Sequence, residues 1–446
     1  MPTATARPAA KPGPLTPETP LRVAVLGAGT VGREVVRAFL EDPERLAAQG
    51  GRGLVLAGVA VRDLDRAIAR RVVRHEDLLT DAPAHLVALP DVDVVVELMG
   101  GEEPARTLIA AALTGGKAVV TANKHVVAHH GPALEAISRQ TGAPLRFEAA
   151  VGGGIPVLGP LATDLAANRV DRVRAIVNGT TNHILTAMAR DGRAYADVLA
   201  DAQAAGYAEA DPTADVEALD AANKLAILAR AAFGSWLDPD AIERRPPTTD
   251  GAGKRGITGV LDVDVAAAAA LGLVIKLLAE VSLDHASGRL RAAVLPTAVG
   301  RDEPLGRTDG VMNRVEVRAT PVGSVAFEGP GAGGSATASA VLGDLLAVAR
   351  GAGSTLAGRP PVDRSIVPLP PVEGGRHRGW FFVLPPTARL EALAKVSLDG
   401  VDCAAVRGGT AVHVRSGDLV DVRGAVREAL PGAADLTIYP AAEHDR

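Results

Sequence analysis

The sequence predicts an α/β protein with three folded parts: a domain on a doubly wound parallel sheet, an α+β domain, and a small βαββαβ module at the C-terminus. Apolar strands alternate with helices over residues 21–150, which is typical of a parallel sheet. Near the C-terminus, segments scan in the ferredoxin-like order. The chain has 446 residues, and a single core stops growing at about 250 to 300 residues, so we expect several domains.

Within the first domain, a strand from Leu21 to Leu26 runs into the turn Gly27-Ala-Gly-Thr-Val-Gly32 and then a helical pattern. Glycines at these spacings permit a tight bend, a close approach of backbone to a pyrophosphate, and close helix packing. The phosphates are expected at the helix N-terminus. This context predicts a Rossmann-type NAD(P)-binding domain, with cofactor contacts at Gly27, Gly29, Thr30, Val31 and Gly32.

Cofactor preference depends on the end of the second predicted strand, Leu54 to Val61. Arg62 follows it and suits the 2′-phosphate of NADP, whereas Asp63 suits the ribose of NAD. A third interpretation makes both residues solvated loop charges. The sequence favours NADP and leaves NAD open. Two further strands are predicted at Val92 to Leu98 and Lys117 to Thr121.

A substrate-binding α+β domain is predicted over residues 151–320. Alanine-rich segments at 214–233 and 264–281 predict long helices, with short strands such as Arg172 to Val177 and Arg314 to Ala319. A second glycine turn, Gly329 to Gly334, opens a helix over 335–350, so the segment at about 320–355 is predicted to return to the nucleotide domain.

The remaining chain is predicted to be a linker at 356–375, rich in proline and arginine, and the βαββαβ module at 376–440. The module's predicted elements are strand 379–384, helix 387–396, strand 401–406, strand 410–414, helix 418–429 and strand 435–439.

Composition excludes several functional classes. Charged residues make up 22% and the formal net charge is −5, so no broad basic surface is expected for nucleic acid or anionic lipid. The apolar run Val265 to Ile275 is shorter than the roughly 20 residues that span a bilayer. Residues 1–20 contain six prolines and no apolar segment, which predicts a disordered tail rather than a signal peptide. With Cys403 as the single cysteine, we expect a cytoplasmic protein that acts on a small metabolite.

Two segments carry candidate chemistry. Asp220 and Lys224 are four residues apart and so share one helical face. On spacing alone, an exposed ion pair worth about 0.3–0.5 kcal/mol is favoured over a catalytic pair. The segment Asn178-Gly-Thr-Thr-Asn182 suits either a turn with a helix cap or a set of substrate contacts, and its spacing does not separate the two.

Taken together, the ordered motifs over about 21–350 resemble the homoserine dehydrogenase family. The motifs are GAGTVG at 27–32, VVELMGG at 95–101, TANK at 121–124, EAAVGGGIP at 148–156, NGTTN at 178–182, GYAEADPTADVEALDAANKL at 206–225, IKLLA at 275–279 and GPGAGGSATASAV at 329–341. The resemblance implies reduction of L-aspartate 4-semialdehyde to L-homoserine by NADPH or NADH, in threonine, methionine and isoleucine biosynthesis. It also implies a homo-oligomer, a dimer or tetramer, with dimer contacts in the α+β domain.

Roles follow from the same resemblance, motif by motif. Lys224 is similar to the catalytic lysine and Asp220 to its carboxylate neighbour, while Lys124 resembles a lysine that contacts cofactor and substrate. The resemblance further implies substrate contacts at Glu209, Asp215, Asn178 and Thr180, and cofactor contacts at Met99, Gly100 and Gly331. It also implies a monovalent cation such as sodium, bound through backbone or nearby oxygens of Glu148, Val151, Gly153 and Ile155.

The chain departs from the family pattern in three places. Ala218 stands where glycine is usual, and His183 where an aromatic residue is common. The C-terminal module resembles an ACT domain, which in this family often binds threonine. The usual acidic, glycine-containing turn is here replaced by residues 384–390, Leu-Pro-Pro-Thr-Ala-Arg-Leu. We therefore expect a degenerate module and weak or absent threonine inhibition.

Two other functions compete with this interpretation. One is an NAD(P)-dependent dehydrogenase of another small polar amino or hydroxy acid, because a fold does not fix a substrate. The other is a catalytically silent nucleotide-sensing protein. Retention of both Lys224 and Asp220 argues against the silent protein, and the whole 206–225 block argues against a different substrate.

Overall fold

Two sheets organise the protein, whose computed structural model describes residues 19–369, 378–395, 399–430 and 435–442. One sheet has six parallel strands and the other has nine strands of mixed direction. Within these described ranges, no helix is both long and apolar enough to cross a membrane. Three predicted parts of the chain lie partly outside the described residues: most of the tail, the end of the linker, and sections of the C-terminal module.

The six-stranded sheet carries the nucleotide-binding architecture. Its order, β3-β2-β1-β4-β5-β6, is the doubly wound order in which ligands bind at the carboxyl ends of the strands, where the strand order reverses. Its central strands are buried on both faces, as in parallel sheets, and Val94, Val95 and Val96 are fully buried. The strands are β1 (Leu21–Leu26), β2 (Leu54–Ala60), β3 (Leu79–Thr80), β4 (Val94–Glu97), β5 (Ala118–Thr121) and β6 (Leu145–Arg146).

Helices cover both faces of this sheet. They are α1 (Thr30–Glu41), α2 (Pro43–Gly50), α3 (Leu64–Ala69), α4 (Pro83–Ala88), α5 (Ala105–Thr114) and α6 (Lys124–Thr141). A later helix, residues Gly334–Ala349, belongs to the same apolar core, because its Val341 and Leu345 are fully buried beside Val35 and Val36 of α1.

The nine-stranded sheet holds the rest of the chain in the order β11-β10-β7-β8-β9-β15-β12-β14-β13. Its strands are β7 (Arg169–Ile176), β8 (Leu273–Asp284), β9 (Arg289–Gly300), β10 (Met312–Thr320), β11 (Gly323–Pro330), β12 (Arg378–Leu384), β13 (Asp399–Val406), β14 (Gly409–Gly417) and β15 (Tyr439–Ala441). The accompanying helices are α7 (Leu158–Ala162), α8 (Gly179–Asp191), α9 (Tyr195–Ala204), α10 (Thr213–Val216), α11 (Leu219–Phe233), α12 (Asp262–Ala270), α13 (Pro304–Arg307) and α15 (Leu419–Ala429), while α14 (Gly334–Ala349) is the helix described above in the core of the six-stranded sheet. Short 3-10 helices lie at Glu76–Leu78, Glu148–Ala150, Pro239–Ala241 and Leu390–Lys395.

The predicted helix at 264–281 is wrong over its second half. The helix α12 ends at Ala270, Gly272 takes a left-handed φ of 71°, and β8 then pairs with β9 along its whole length. The strand is buried along most of its length, so its apolar run has no alternation that would separate a buried strand from a buried helix. The predicted helix at 214–233 is also two helices, α10 and α11, divided at Ala218.

The C-terminal elements form one end of the nine-stranded sheet. Counted within the module, the strands lie in the order fourth, first, third, second, which is the ferredoxin-like arrangement. The predicted α-helix at 387–396 is instead a 3-10 helix, Leu390–Lys395, and the last strand begins at Tyr439 rather than at residue 435. Tyr439 donates a 2.6 Å hydrogen bond to Asp264 of α12, so the module is docked on the substrate domain.

Candidate active site

The glycine turn after β1 is built around close backbone contacts. Gly27 has φ +100°, and a Cβ there would lie 2.6 Å from the Leu98 carbonyl oxygen. A Cβ on Gly32 would lie 1.9 Å from the Gly27 carbonyl oxygen, whereas Gly29 faces open space. Gly27 and Gly32 are therefore required by packing. Gly29, with Thr30 and Val31 at the start of α1, leaves the helix N-terminus open to a phosphate.

A pocket of about 650 Å³ extends from this turn along the carboxyl edge of the sheet. Its walls include Gly27, Gly29, Thr30, Arg62, Asp63, Arg66, Arg70, Met99 and Gly100. Asp63 caps α3, because its carboxylate accepts the Arg66 backbone N–H at 2.9 Å. One oxygen of the acidic residue that suits an NAD ribose is therefore engaged in the cap, while four arginines, Arg33, Arg62, Arg66 and Arg70, line the pocket.

Glu97 shapes the wall formed by Met99 and Gly100, and its role was not predicted from the sequence. Its carboxylate is fully buried at the end of β4, where it accepts the Met99 N–H at 2.8 Å and the Thr121 hydroxyl at 2.6 Å. Burial raises the pKa of this carboxyl, and the hydrogen bonds from Thr121 and Met99 oppose the rise. The sequence signal that could have identified Glu97 is an acidic residue at the end of the apolar strand Val-Val-Val-Glu.

Asp220 joins two lysines from different domains. Its Oδ2 lies 2.7 Å from Nζ of Lys224, one turn later in α11, and its Oδ1 lies 2.5 Å from Nζ of Lys124, the first residue of α6. Lys224 also donates to the Val177 carbonyl oxygen at 2.6 Å. Asp220 and Lys224 are buried, whereas the Lys124 side chain is 44% exposed. The Asp220–Lys224 pair is therefore not the exposed surface ion pair that spacing alone favoured.

The three charges shift one another's pKa in different directions. Burial alone would raise the pKa of Asp220, but Lys224 and Lys124 outweigh it and hold that pKa well below its ordinary value. Burial lowers the pKa of Lys224, and Asp220 only partly offsets the effect. Asp220 raises the pKa of Lys124, against its smaller loss of hydration. Lys224 is thus the lysine that gives up a proton more readily.

Asn178, the residue before α8, contacts the carboxylates of Asp215 and Asp220. Its Oδ1 caps the helix through the Thr181 N–H, and its Nδ2 donates to Asp215 at 2.7 Å and to Asp220 at 2.9 Å. The helix cap that the sequence suggested is therefore present, and the same side chain contacts Asp215 and Asp220, while its contact with substrate stays a prediction. Thr180 instead donates to the Tyr207 carbonyl oxygen.

Glu209 lies on an exposed turn before α10. Its charge and that of Asp215 both raise the pKa of Lys124, and Asp215 shares the Asn178 amide with Asp220. The side chains Lys124, Asp215 and Glu209, together with Asp220 and Lys224, make a site rich in opposite charges, suited to a substrate that carries an ammonium and a carboxylate.

The predicted cation loop offers backbone oxygens rather than carboxylates. Both oxygens of Glu148 are engaged, because they accept the backbone N–H groups of Val157, Leu158 and Gly159 at 2.6–2.8 Å. Across the described ranges, no group of three or more His, Cys, Asp or Glu side chains could hold a metal ion. A cation here would rest on the carbonyl oxygens of Glu148, Val151, Gly153 and Ile155.

Gly331 lies where this loop meets the cofactor turn. A Cβ on Gly153 would lie 2.6 Å from the Gly331 carbonyl oxygen, and a Cβ on Gly334 would lie 2.9 Å from the Thr30 carbonyl oxygen. The second glycine turn therefore packs between the predicted cation loop and the N-terminus of α1.

Family models match most of the chain. Residues 27–148 match the model for the NAD-binding domain of homoserine dehydrogenase, and residues 156–346 match the homoserine dehydrogenase model. A homoserine dehydrogenase of Mycobacterium tuberculosis is 48% identical over 356 residues, which cover 79% of this chain and 77% of the relative. One of Synechocystis is 43% identical over 332 residues, covering 73% and 72%.

Solved structures agree with these matches. A homoserine dehydrogenase of Thiobacillus denitrificans has a TM-score of 0.84 at 34% identity, covering 96% of this chain and 99% of that one. A hyperthermophilic archaeal homoserine dehydrogenase in complex with NADPH has a TM-score of 0.61 at 26% identity, covering 74% and 97%.

Proposed function

This chain belongs to the homoserine dehydrogenase family and is an NAD(P)-dependent oxidoreductase, and on that premise we propose that Lys224, held by Asp220, transfers the proton in its reaction. The reaction is the reversible reduction of L-aspartate 4-semialdehyde to L-homoserine, a step towards threonine, methionine and isoleucine. Neither a dehydrogenase of another acid nor a silent nucleotide sensor is favoured beside these relatives. The contact of Asp220 with both lysines carries the proposal.

Lys224 is suited to protonate the substrate oxygen. When bound, the reduced cofactor supplies a hydride to the carbonyl carbon. The oxygen then carries negative charge and needs a proton from a positioned acid. Among the described residues, Asp220 and Val177 engage two of the three ammonium donors of Lys224, which leaves one for substrate. Its lowered pKa favours transfer of that proton.

Lys124 has a complementary role. Its raised pKa keeps it charged, and its partly exposed side chain can meet a carboxylate or the developing oxyanion. Asp220 stabilises both ammonium groups at once, while Asn178 fixes the carboxylate from a third side. We assign the binding of the substrate ammonium to Glu209 and Asp215.

The test is a comparison of two lysine variants. Lys224→Ala should lower kcat by about 10² to 10⁴-fold, the usual scale for a general acid, while the Kd for NADPH stays near the wild-type value. Lys224→Arg should also lower kcat, because a guanidinium keeps its proton and cannot act as the acid. The exposed Lys254, changed to Ala, is the control. Near wild-type turnover in Lys224→Ala together with a collapse in Lys124→Ala would reverse the two roles.

We also propose NADPH as the preferred cofactor. Arg62 lies in the pocket wall with Arg66 and Arg70, and Asp63 is engaged in capping α3. Arg62→Ala should raise the KM for NADPH by roughly 10- to 100-fold, the scale of a lost charge-assisted hydrogen bond, and leave the KM for NADH unchanged. Equal losses with both cofactors would contradict this assignment.

Two further proposals rest on the family resemblance. The carbonyl oxygens of the 148–155 loop are proposed to bind sodium, which requires that NaCl raise the melting temperature more than choline chloride does at equal ionic strength. The chain is proposed to assemble as a homodimer or tetramer, which light scattering on the purified protein measures.

A further inference from the structure

Asn313 carries a buried polar group that the site described above does not use. It is the second residue of β10 and is fully buried. Within the described ranges, neither Oδ1 nor Nδ2 of its amide has a hydrogen-bond partner. Buried amides in folded proteins nearly always have partners, because an unpaired one loses its hydration without compensation. The working state is therefore expected to supply both a donor and an acceptor.

On one side, the amide faces the second glycine turn, Gly329 to Gly334. A Cβ built on Gly331 would lie 2.0 Å from Cγ and Nδ2 of Asn313 and 2.3 Å from Oδ1. These similar distances place the Cα of Gly331 over the face of the amide group. The same turn contacts Thr30 at the start of α1, where the pyrophosphate is expected.

On the other side, the residues around Asn313 contact the catalytic cluster. In the antiparallel pairing of β10 with β7, Arg314 is opposite Ile176, so Asn313 is next to Val177. The Val177 carbonyl oxygen is the acceptor for Lys224 Nζ. The Met312 carbonyl oxygen accepts a hydrogen bond from Asn182 of α8. Asn313 thus lies between the second glycine turn, which packs against the start of α1, and the backbone that accepts the hydrogen bond from Lys224.

We propose that the Asn313 amide binds the carboxamide of the nicotinamide ring, an inference that rests on the proposed function. A dinucleotide whose phosphates lie at α1 must place its ring near Lys224 for hydride transfer, and Asn313 lies between these two points. A carboxamide offers one acceptor oxygen and one donor NH₂, which pair with Nδ2 and Oδ1 of Asn313 respectively. A cation would satisfy only Oδ1 and leave Nδ2 unpaired.

Binding requires the turn at 331–333 to move off the amide, because Gly331 covers it. Two of the three residues in this turn are glycine, and Gly333 has φ +118°, so the segment has backbone freedom and little side-chain bulk to displace. Residue 331 must also be glycine for steric reasons, because any side chain there would collide with the Asn313 amide that it covers.

The experiment measures equilibrium dissociation constants by calorimetry for NADPH and for its reduced 3-acetylpyridine analogue, in which a methyl group replaces the carboxamide NH₂. The variant is Asn313→Leu, an apolar side chain of similar shape that removes the unpaired amide. It should unfold at or above the wild-type temperature, because no buried polar group is left unsatisfied. It should bind NADPH about tenfold more weakly, the scale of two lost hydrogen bonds, and bind the analogue only about threefold more weakly, because the acetyl oxygen makes just the one hydrogen bond from Nδ2.

The control is Asn168→Ala, at an asparagine that contacts Val322 far from the cofactor turn, and it should change neither constant. Asn313→Ala provides a second variant with the same expected selectivity. Equal weakening of NADPH and the analogue in both Asn313 variants would overturn the inference, since that result describes a packing role alone. Failure of the wild-type chain to bind either dinucleotide would overturn the proposed function as well.

Discussion

At the scale of single residues, Asp220 is the residue that most affects the charge of the two lysines it contacts. A buried lysine alone tends to lose its proton, and two neighbouring ammonium groups repel each other. One carboxylate placed between Lys224 and Lys124 partly offsets both effects and stabilises positive charge where we propose that negative charge develops in the reaction. The two lysines nevertheless differ in exposure and in the direction of their pKa shifts, which is the difference expected between the proposed proton donor and the proposed fixed charge.

Ala218 gives a residue-scale prediction. It has φ +65° and precedes α11, two residues before Asp220. Left-handed backbone costs an alanine about 1–2 kcal/mol. Glycine removes that cost. It also lowers the free energy of unfolding by about 0.4–1 kcal/mol, because the unfolded chain gains conformational entropy, and by about 0.8 kcal/mol through loss of a buried methyl group. Ala218→Gly should therefore keep the free energy of unfolding within about 1 kcal/mol of wild type in urea titration, with unchanged kcat.

Ala218→Val serves as its counterpart. A β-branched side chain at positive φ is strongly disfavoured, so this variant should lose roughly 2 kcal/mol or more and lose activity as Asp220 shifts. A stable, fully active valine variant would show that the backbone at 218 does not set the position of Asp220.

Only the Asp220–Lys224 pair of the proposed catalytic cluster was predictable as geometry. The i, i+4 spacing put Asp220 and Lys224 on one face, but the sequence had no rule that brings Lys124 to the same carboxylate from another domain. The family resemblance implied a role for Lys124, and the structure shows its contact with Asp220. Asn313 was not predicted, since an isolated asparagine before an alternating strand carries no signal until its burial and its lack of partners are known.

At the scale of elements, α6 and α11 bring the two lysines together, and a buried ion pair fixes these helices. The Glu135 carboxylate of α6 accepts hydrogen bonds from Arg230 of α11, which is fully buried, and from the indole of Trp236. Arg139 adds a partly exposed contact. The helix that begins with Lys124 is thereby held against the helix that carries Lys224.

Glu135→Ala should consequently destabilise the protein by about 3–5 kcal/mol, because Arg230 would be left as an unpaired buried charge. Glu41→Ala, which removes an exposed partner of Arg37, is the matched control and should cost about 0–1 kcal/mol. Chemical denaturation measures both. A loss below about 1 kcal/mol for Glu135→Ala would mean that apolar packing alone holds the two helices.

Prediction of elements succeeded where turn chemistry marks the boundaries. The strand, glycine turn and helix at 21–41 were found because glycine and a β-branched run delimit them. The strand β8 was missed because an alanine-rich helix runs into it through one glycine, and the strand itself is buried along most of its length. Burial on both faces removes the periodicity that distinguishes a strand from a helix.

At the scale of the whole molecule, the C-terminal module is physically connected to the active site. Arg423 of α15 donates to the Thr248 carbonyl oxygen. The same loop continues to Ile257, whose N–H donates to the Val216 carbonyl oxygen at the end of α10. A conformational change in the module therefore has a path of direct contacts towards Asp220.

Threonine should nevertheless inhibit weakly or not at all. After β12 the chain continues through the Pro385-Pro386 turn into a 3-10 helix, without the acidic, glycine-containing turn expected of a threonine-binding module. Steady-state rates measured against threonine up to millimolar concentration should stay flat. Tight, saturable inhibition would show that the degenerate turn still forms a ligand pocket.

The central claim is that Lys224 delivers the proton to the substrate oxygen. Its most direct test is chemical rescue of Lys224→Ala by small primary amines, measured as the rate of aspartate semialdehyde reduction by NADPH. A free amine in the vacated position can act as the acid, so the rate should rise with ammonium concentration, saturate, and vary with the pKa of the amine. Lys124→Ala should show no such response. Absence of rescue in Lys224→Ala, or equal rescue of Lys124→Ala, would contradict the assignment.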